Sequence, residues 1–147
     1  MENVKLFVTN VDGTLTGGGM CYSGVGDDRK KFNTHDSMRL QLLHSTGVKT
    51  ATITTEDTKL VEHRASKLKV YYLIQGQCDG MKLVSILRFC KKIGITIDEV
   101  AYIGDVNCLD LFSNVGVKFC VSNICEEMMG VFGIIVMNKK GGEGCLR

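Results

Sequence analysis

The chain has 147 residues, of which 44% are hydrophobic and 23% are charged, values typical of a globular domain and not of a disordered chain. Eighteen Lys and Arg residues against sixteen Asp and Glu residues leave a formal net charge of +2. This charge is too balanced to indicate a nucleic-acid or membrane partner by itself. A chain of this length buries enough surface to fold without disulfide or metal cross-links.

The number of cysteines and the length of the apolar runs indicate the cellular compartment of the protein. The chain has seven cysteines, and no two of them have CxxC spacing. A zinc knuckle needs clustered ligands and a disulfide framework needs an even count, so we expect buried, reduced thiols. The N-terminal segment lacks the features of a signal peptide. The longest apolar runs, such as residues 131–137, are far shorter than the roughly 20 residues of a membrane-spanning helix. These features predict a cytoplasmic protein.

The first third of the chain contains a strand, a hairpin and a helix. Residues 4–9 form a short, β-branched apolar run that predicts a buried strand. Residues 20–23 and 29–34 flank a glycine-containing turn, which predicts a β-hairpin. Asp36 is expected to N-cap a helix over residues 37–45.

From residue 48 onward the pattern alternates between strands and helices. The chain has no proline, so glycines separate these elements. Such alternation predicts βαβ units and a single three-layer α/β domain, with helices on both faces of a parallel sheet. The predicted strands are 48–54, 70–74, 100–104, 117–121 and 133–137, and the predicted helices are 58–68, 80–93, 107–114 and 126–131.

Polar residues follow the predicted strands. In open α/β sheets the site lies outside the carboxyl ends of the strands, and residues 9–14, Thr54, Lys82 and Asp105 all come near such ends. Two acidic groups with an amide suit a hard cation such as Mg²⁺. A hydroxyl, a lysine and the backbone amides after Asp12 suit a phosphate.

Each of these residues also has an ordinary structural interpretation. Asp12 with Gly13 is a common turn, Asp105 suits a helix N-cap, and Lys82 suits a solvated helix face. The occurrence of such residues at four strand ends favours a functional site over four unrelated structural roles.

The same residues resemble the motifs of the haloacid dehalogenase superfamily. Residues 10–14, Asn-Val-Asp-Gly-Thr, are similar to its DxDGT motif, with Asn10 in place of the first Asp. Thr54 after an apolar strand resembles the second motif, Lys82 the third and residues 103–105 the fourth. Further segments resemble the small capless branch of the superfamily: 18–22, 31–34, 61–69, 101–105 and 141–144.

That branch hydrolyses 3-deoxy-manno-octulosonate 8-phosphate or ketodeoxynononate 9-phosphate, and it includes the C-terminal domain of animal CMP-sialic acid synthetases. The resemblance implies a three-layer Rossmann-like fold with a protruding β-hairpin, in one capless domain over residues 1–147. It also implies a sugar-acid phosphate as the substrate and Mg²⁺ as the cofactor.

The resemblance further implies roles for individual residues. Position 10 holds the attacking aspartate of active relatives, and Asp12 is the general acid–base. Thr54 and Lys82 hold the phosphoryl oxygens. Asn10, the backbone carbonyl of Asp12 and Asp105 would bind Mg²⁺.

Four further residues fall where the resemblance places substrate contacts: Thr55, Glu56, Arg64 and Lys67. Arg64 and Lys67 would take up the carboxylate of the sugar acid through charge-assisted hydrogen bonds. The alternative is that both are exposed charges on the predicted helix over residues 58–68.

Three departures from the family pattern matter. Asn10 has the shape of aspartate without its charge, so the chain is expected to turn over negligibly as a phosphatase. The stretch 75–82 is about two residues longer than in relatives, which would displace Lys82, and Val106 stands where relatives carry a second acid. The alternative function is therefore a non-catalytic oligomerisation domain of the synthetase type.

The resemblance also implies a homotetramer. Residues 20–34 would form its central contact through Tyr22 and Phe32, and a neighbouring copy would cover the open site. The glycine-rich segment 141–144 would lie near that shared site, where glycines let the backbone approach a ligand closely.

Overall fold

The strands and helices follow the alternation expected from the sequence. The computed structural model describes residues 3–25, 28–78, 80–104, 108–123 and 126–147. The strands are β1 (Leu6–Asn10), β2 (Cys21–Tyr22), β3 (Asp28–Arg29), β4 (Lys49–Ile53), β5 (Tyr72–Ile74), β6 (Val100–Gly104), β7 (Val117–Cys120) and β8 (Ile134–Val136). The helices are α1 (Thr34–Ser45), α2 (Lys59–Leu68), α3 (Met81–Ile93), α4 (Leu109–Asn114) and α5 (Glu126–Met129).

Six strands form one parallel sheet in the order β5-β4-β1-β6-β7-β8. Asn10 at the end of β1 pairs with Ile53 at the end of β4, and Gly104 at the end of β6 pairs with Cys120 at the end of β7. The central strands therefore finish together at one edge of the sheet. The predicted α/β class with a parallel sheet is confirmed.

Helices cover both faces of this sheet. On one face, side chains of α3, α4 and α5 pack with Leu6 and Val8. On the other face, Leu40 of α1 and Leu68 of α2 form a cluster against which Phe7 packs. Successive side chains of a strand point to opposite faces, so β1 contributes to both clusters and stands at the centre of the domain.

The predicted start of α1 is wrong. The helix begins at Thr34, and its N-cap is Asn33, whose side-chain oxygen accepts a hydrogen bond from the backbone N–H of His35 at 2.9 Å. Asp36 lies inside the first turn and is buried, and its Oδ1 accepts from the backbone N–H of Leu146 at 3.0 Å. Asn33 caps the helix one turn earlier, so Asp36 is left to anchor the C-terminal segment.

The predicted hairpin is present but shorter than expected. Strands β2 and β3 pair antiparallel, with Cys21 opposite Arg29. The second strand ends at Arg29 and does not continue through the predicted range 29–34, because the following residues turn toward the domain. The side chain of Lys30 is fully buried, and Phe32 packs against the cluster that contains Leu40.

The structure also bears on the expectations drawn from composition. Among the six described cysteines, Cys21 and Cys78 are exposed, so the expectation of buried thiols is wrong for these two. The other four are free and buried: Cys90, Cys108, Cys120 and Cys145. Within the described ranges, no helix combines the length and the apolar character that crossing a lipid bilayer requires.

Candidate active site

The loop after β1 brings Asn10 and Asp12 together. Asn10 is buried, and its Nδ2 donates to the backbone carbonyl oxygen of Asp12 at 2.8 Å. The chain turns sharply here, because Asp12 has extended torsion angles and Gly13 has a φ of 79°. A hydrogen bond from the Thr16 N–H to the Val11 carbonyl at 3.1 Å closes the turn. The amide of residue 10 and the carbonyl of residue 12 therefore face each other at the carboxyl end of the central strand.

The Asp12 side chain has a partner that the sequence did not reveal. The Nζ of Lys30 lies 2.7 Å from Oδ1 and 2.8 Å from Oδ2 of Asp12. The hydroxyl of Thr16 donates to Oδ1 at 3.4 Å. The Asp12 side chain remains 27% exposed, whereas that of Lys30 has no exposed area. No sequence signal separates Lys30 from its neighbour Lys31, which is exposed.

Thr54 lies beside this loop, because β4 pairs with β1 and Thr54 follows Ile53 directly. Its side chain is buried, and its hydroxyl oxygen accepts from the Glu56 N–H at 3.2 Å. Its backbone donates to Ile74 at 3.0 Å and accepts from Gln77 at 3.2 Å. These bonds hold the loop that leads into α3 against the end of β4.

Lys82 occupies the first turn of α3 and is 3% exposed. Its Nζ donates to the Sγ of Cys108 at 3.1 Å, which places the ammonium group at the N-cap residue of α4, the helix that follows β6. The longer stretch before Lys82 therefore does not carry it to the surface. Asp105 and Val106 lie outside the described residues.

Two of the four predicted substrate contacts follow the end of β4 directly. Thr55 is exposed and Glu56 is half-buried, and both lie next to Thr54. The other two are on α2, which leads away from this edge. Lys67 is exposed in the last turn of α2, about 12 Å from the start of the helix at 1.5 Å per residue.

Arg64 is engaged within its own domain. Its Nη2 donates to the Asn33 carbonyl at 3.0 Å and to the Ser37 hydroxyl at 2.9 Å. The guanidinium group lies over the Phe32 ring, 4.9 Å from its centroid. Burial lowers the pKa of Arg64, and the nearby Asp36 carboxylate acts in the opposite direction. Within one copy of the chain, these contacts of Arg64 are with α1 and the segment that precedes it.

The glycine-rich segment near the C-terminus supports that loop. The Gly142 N–H donates to the Thr14 carbonyl at 2.9 Å, and the Cys145 Sγ donates to the same carbonyl at 3.3 Å. A Cβ on Gly141 would overlap the Gly13 carbonyl. The segment thus lies beside the predicted site, and what its glycines approach is the loop itself. Burial raises the pKa of Cys145 to about 12, so its thiol is uncharged at neutral pH.

Comparison with known proteins decides the family. No model of a known protein family matches the chain. The chain is 30% identical over 148 residues to the 3-deoxy-D-manno-octulosonate 8-phosphate phosphatase KdsC of Salmonella typhi, an alignment that covers 99% of this chain and 77% of that protein. The corresponding KdsC of Haemophilus influenzae is 27% identical over 148 residues, covering 100% and 81%. The chain belongs to the KdsC phosphatase family.

Solved structures agree with this assignment. The 3-deoxy-D-manno-octulosonate 8-phosphate phosphatase of Moraxella catarrhalis, in complex with a magnesium ion, a phosphate ion and a KDO molecule, matches with a TM-score of 0.91 and 35% identity, covering 98% of this chain and 82% of that one. A HAD superfamily (subfamily III A) hydrolase structure from Legionella pneumophila matches with a TM-score of 0.91 and 32% identity, covering 98% and 78%. The haloacid dehalogenase fold expected from the sequence is confirmed.

A separate apolar pocket of this KdsC-family chain contains none of the predicted site residues. It has a volume of about 450 Å³ and is lined mainly by apolar side chains, including Val4, Leu43 and Leu146. Arg39 and Thr46 are the polar side chains among its described lining residues, which include no carboxylate. The polar chemistry lies instead at the open edge where the strands end.

The oxygen atoms after β1 suit a hard cation. A half-turn of the Asn10 amide would place Oδ1, in place of Nδ2, beside the Asp12 carbonyl oxygen, giving two neutral oxygen donors of the kind that Mg²⁺ accepts. In the parts of the chain that the structure describes, no three His, Cys, Asp or Glu side chains are grouped as metal ligands. These oxygen atoms are of the kind that Mg²⁺ binds. Together they carry one negative charge fewer than they would with an aspartate at position 10.

Proposed function

We propose that this chain carries the phosphoryl site of a Mg²⁺-dependent phosphomonoesterase of 2-keto-3-deoxy sugar-acid phosphates, and that Asn10 prevents its turnover. The observation that carries the proposal is the junction after β1. There the Asn10 amide faces the Asp12 carbonyl at 2.8 Å, and Thr54 follows the paired end of β4. Lys82 approaches the same edge from α3. Membership of the KdsC family supports a sugar-acid phosphate as the substrate class.

Each residue would act as follows when a carboxylate stands at position 10. The carboxylate attacks phosphorus, the ester P–O bond breaks, and Asp12 gives a proton to the leaving oxygen. Asp12 then takes a proton from a water molecule that attacks phosphorus, and the bond to the carboxylate breaks to release phosphate. Thr54 and Lys82 hold the phosphoryl oxygens and stabilise their charge. The Asn10 amide has no anionic oxygen, so the first step does not occur.

Asn10 Oδ1, the Asp12 carbonyl and Asp105 would hold Mg²⁺. When bound, the ion offsets negative charge on the phosphoryl oxygens. The Asn10 amide must turn and give up its hydrogen bond to the Asp12 carbonyl, which costs about 1 kcal/mol. We therefore expect weaker Mg²⁺ binding by this chain than by the Asn10→Asp variant, with calorimetric titration as the measurement.

We further propose that the chain is a homotetramer built on the hairpin, in which Lys67 and Arg64 serve the site of a neighbouring copy. Tyr22 is 72% exposed and Val25 is 85% exposed, so the described part of the hairpin presents apolar side chains on its surface. Phe32 packs within its own domain, so the interface depends on Tyr22 and not on Phe32. Light scattering should show a tetramer, and a monomer at micromolar concentration would contradict this assembly.

The alternative is a non-catalytic oligomerisation domain of the CMP-sialic acid synthetase type. One observation favours it: the Asn10 amide satisfies the Asp12 carbonyl within the chain, so this part of the site needs no ligand to fill its hydrogen bonds. An oligomerisation domain would form the tetramer and bind no sugar-acid phosphate.

Phosphate release from a panel of acidic and neutral sugar phosphates, with and without Mg²⁺, distinguishes the two functions. We expect negligible release by this chain and Mg²⁺-dependent release by Asn10→Asp. We also expect Lys67→Met in that variant to raise KM more for an acidic than for a neutral sugar phosphate. If Asn10→Asp stays inert on every sugar phosphate, the oligomerisation function replaces the enzymatic one. Equal effects of Lys67→Met on both substrate types would make Lys67 a surface charge only.

A further inference from the structure

The hairpin sends one fully buried side chain to the loop after β1. Lys30 directly follows β3, and its side chain has no exposed area. Its Nζ contacts both carboxylate oxygens of Asp12, at 2.7 and 2.8 Å, across 18 residues of sequence. An ammonium group buried without a counter-charge is strongly unfavourable. The burial of Lys30 therefore depends on Asp12, and each charge fixes the position of the other.

The remaining hydrogen bond of the Asp12 carboxylate is longer than its two contacts with Lys30. The Thr16 hydroxyl reaches Oδ1 at 3.4 Å, at the long end of the range for a hydrogen bond. The Gly18 N–H in turn donates to the Thr16 hydroxyl oxygen at 3.3 Å. Without Lys30, this long contact would be the one remaining side-chain hydrogen bond to the carboxylate from the residues that the structure describes. The two short, charge-assisted bonds from Lys30 are the stronger restraint.

We propose that Lys30 is a positioning residue for the acid–base Asp12, and that it links the hairpin to the chemistry of the site. This role rests on the proposed phosphatase function. Lys30 holds the Asp12 side chain at the open edge of the sheet, where its protonated form would give a proton to the leaving oxygen and its carboxylate form would take a proton from water. Because Lys30 directly follows β3, the placement of the hairpin determines the placement of Asp12.

The predicted kinetic effect is confined to the chemical step. Thr54 and Lys82, which would bind the phosphoryl group, are positioned by other contacts: the Thr54 hydroxyl oxygen accepts from the Glu56 N–H, and the Lys82 Nζ donates to the Cys108 Sγ. In the Asn10→Asp variant, Lys30→Met should therefore lower kcat by about 10- to 100-fold, because small displacements of a catalytic group are this costly. KM should change little. Lys30→Arg should recover part of kcat, since a guanidinium group can also bind both oxygens of a carboxylate. Lys31→Met is the matched control, because Lys31 is exposed, and it should leave kcat unchanged.

A second measurement needs no activity. In an isotope-labelled sample of the unmodified chain, the Lys30 ammonium protons should exchange slowly with water and be visible by NMR, whereas those of Lys31 should exchange rapidly. This measurement keeps the proposal testable even if Lys30→Met fails to fold. Equally rapid exchange at both lysines would overturn the proposal.

The kinetic outcomes separate two kinds of failure. If Asn10→Asp is inert, the proposed function is refuted, and the role of Lys30 in it falls as well. If Asn10→Asp is active and Lys30→Met keeps its kcat, only the role of Lys30 is refuted. If Lys30→Met lowers both kcat and the thermal midpoint, and Lys30→Arg restores neither of them, Lys30 is a structural residue. This result would also overturn the proposal.

Discussion

The contact between the C-terminal glycines and the loop after β1 can be tested by adding single methyl groups. Gly142 has a φ of +76°, and a Cβ there would overlap the Gly17 nitrogen and lie 2.8 Å from the Thr16 carbonyl carbon. Carbon atoms pack at about 3.5 Å or more, so the backbone must move. Left-handed torsion angles cost an L-residue about 1–2 kcal/mol, and overpacking costs about 1–3 kcal/mol. We expect Gly142→Ala to lose about 2–5 kcal/mol of unfolding free energy.

Three other glycines separate these two costs. Gly141 has no positive φ, but a Cβ there would overlap the Gly13 carbonyl, so Gly141→Ala tests contact alone. Gly47 has a φ of +83° with nothing within 4 Å, so Gly47→Ala tests torsion alone. Gly19 has neither feature and serves as the control.

Thermal unfolding of the four variants is the assay. At about 2–4 °C per kcal/mol for a domain of this size, Gly142→Ala should lower the midpoint by roughly 5–15 °C, and Gly47→Ala by only a few degrees. If Gly141→Ala and Gly142→Ala unfold at the same temperature as Gly19→Ala, the close packing of the C-terminal glycines against the loop after β1 does not exist in solution.

Two further predictions concern buried groups. Burial raises the pKa of the Asp36 carboxyl above its ordinary value of 3.8. The stability contributed by such an acid is present below its unfolded pKa and is lost as the pH rises through its folded pKa. The unfolding free energy of the unmodified chain relative to Asp36→Asn should therefore fall as the pH rises above 3.8, and a rise with pH would refute the reasoning. In the native protein, alkylation followed by mass spectrometry should find Cys21 and Cys78 modified well before Cys120 and Cys145. Burial raises the pKa of the Cys120 thiol to about 11 and that of the Cys145 thiol to about 12. Early modification of either of them would contradict their buried placement.

The layers of the fold and the residues that follow β1 could be predicted from the sequence. The strand–helix alternation is a property of local hydrophobic patterns, and β6 at Val100–Gly104 matches its predicted bounds. The convergence of the residues that follow the strands was predictable for the same reason, because a parallel sheet brings the strand ends to one edge. Asn10, Asp12 and Thr54 required no knowledge of tertiary contacts beyond that rule.

The features that could not be predicted depend on contacts distant in sequence. Asn33 and Asp36 are equally suitable helix caps, and Asp36 instead accepts a hydrogen bond from the backbone N–H of Leu146, 110 residues away. The side chain of Lys30 is buried and Lys31 is exposed only because of the direction in which the chain leaves the hairpin. The bonds from the Arg64 guanidinium group to the Asn33 carbonyl and the Ser37 hydroxyl likewise join residues about 30 positions apart.

The central claim is that residue 10 occupies the position of the phosphoryl-accepting carboxylate. The most direct measurement is rapid acid quenching of the Asn10→Asp variant with Mg²⁺ and 3-deoxy-manno-octulosonate 8-phosphate, followed by peptide mass spectrometry, with the unmodified chain treated in parallel. We predict a phosphoryl group on residue 10 of the variant and none on the unmodified chain. Turnover by the variant with the phosphoryl group trapped on another residue, or phosphorylation of the unmodified chain, would contradict the account.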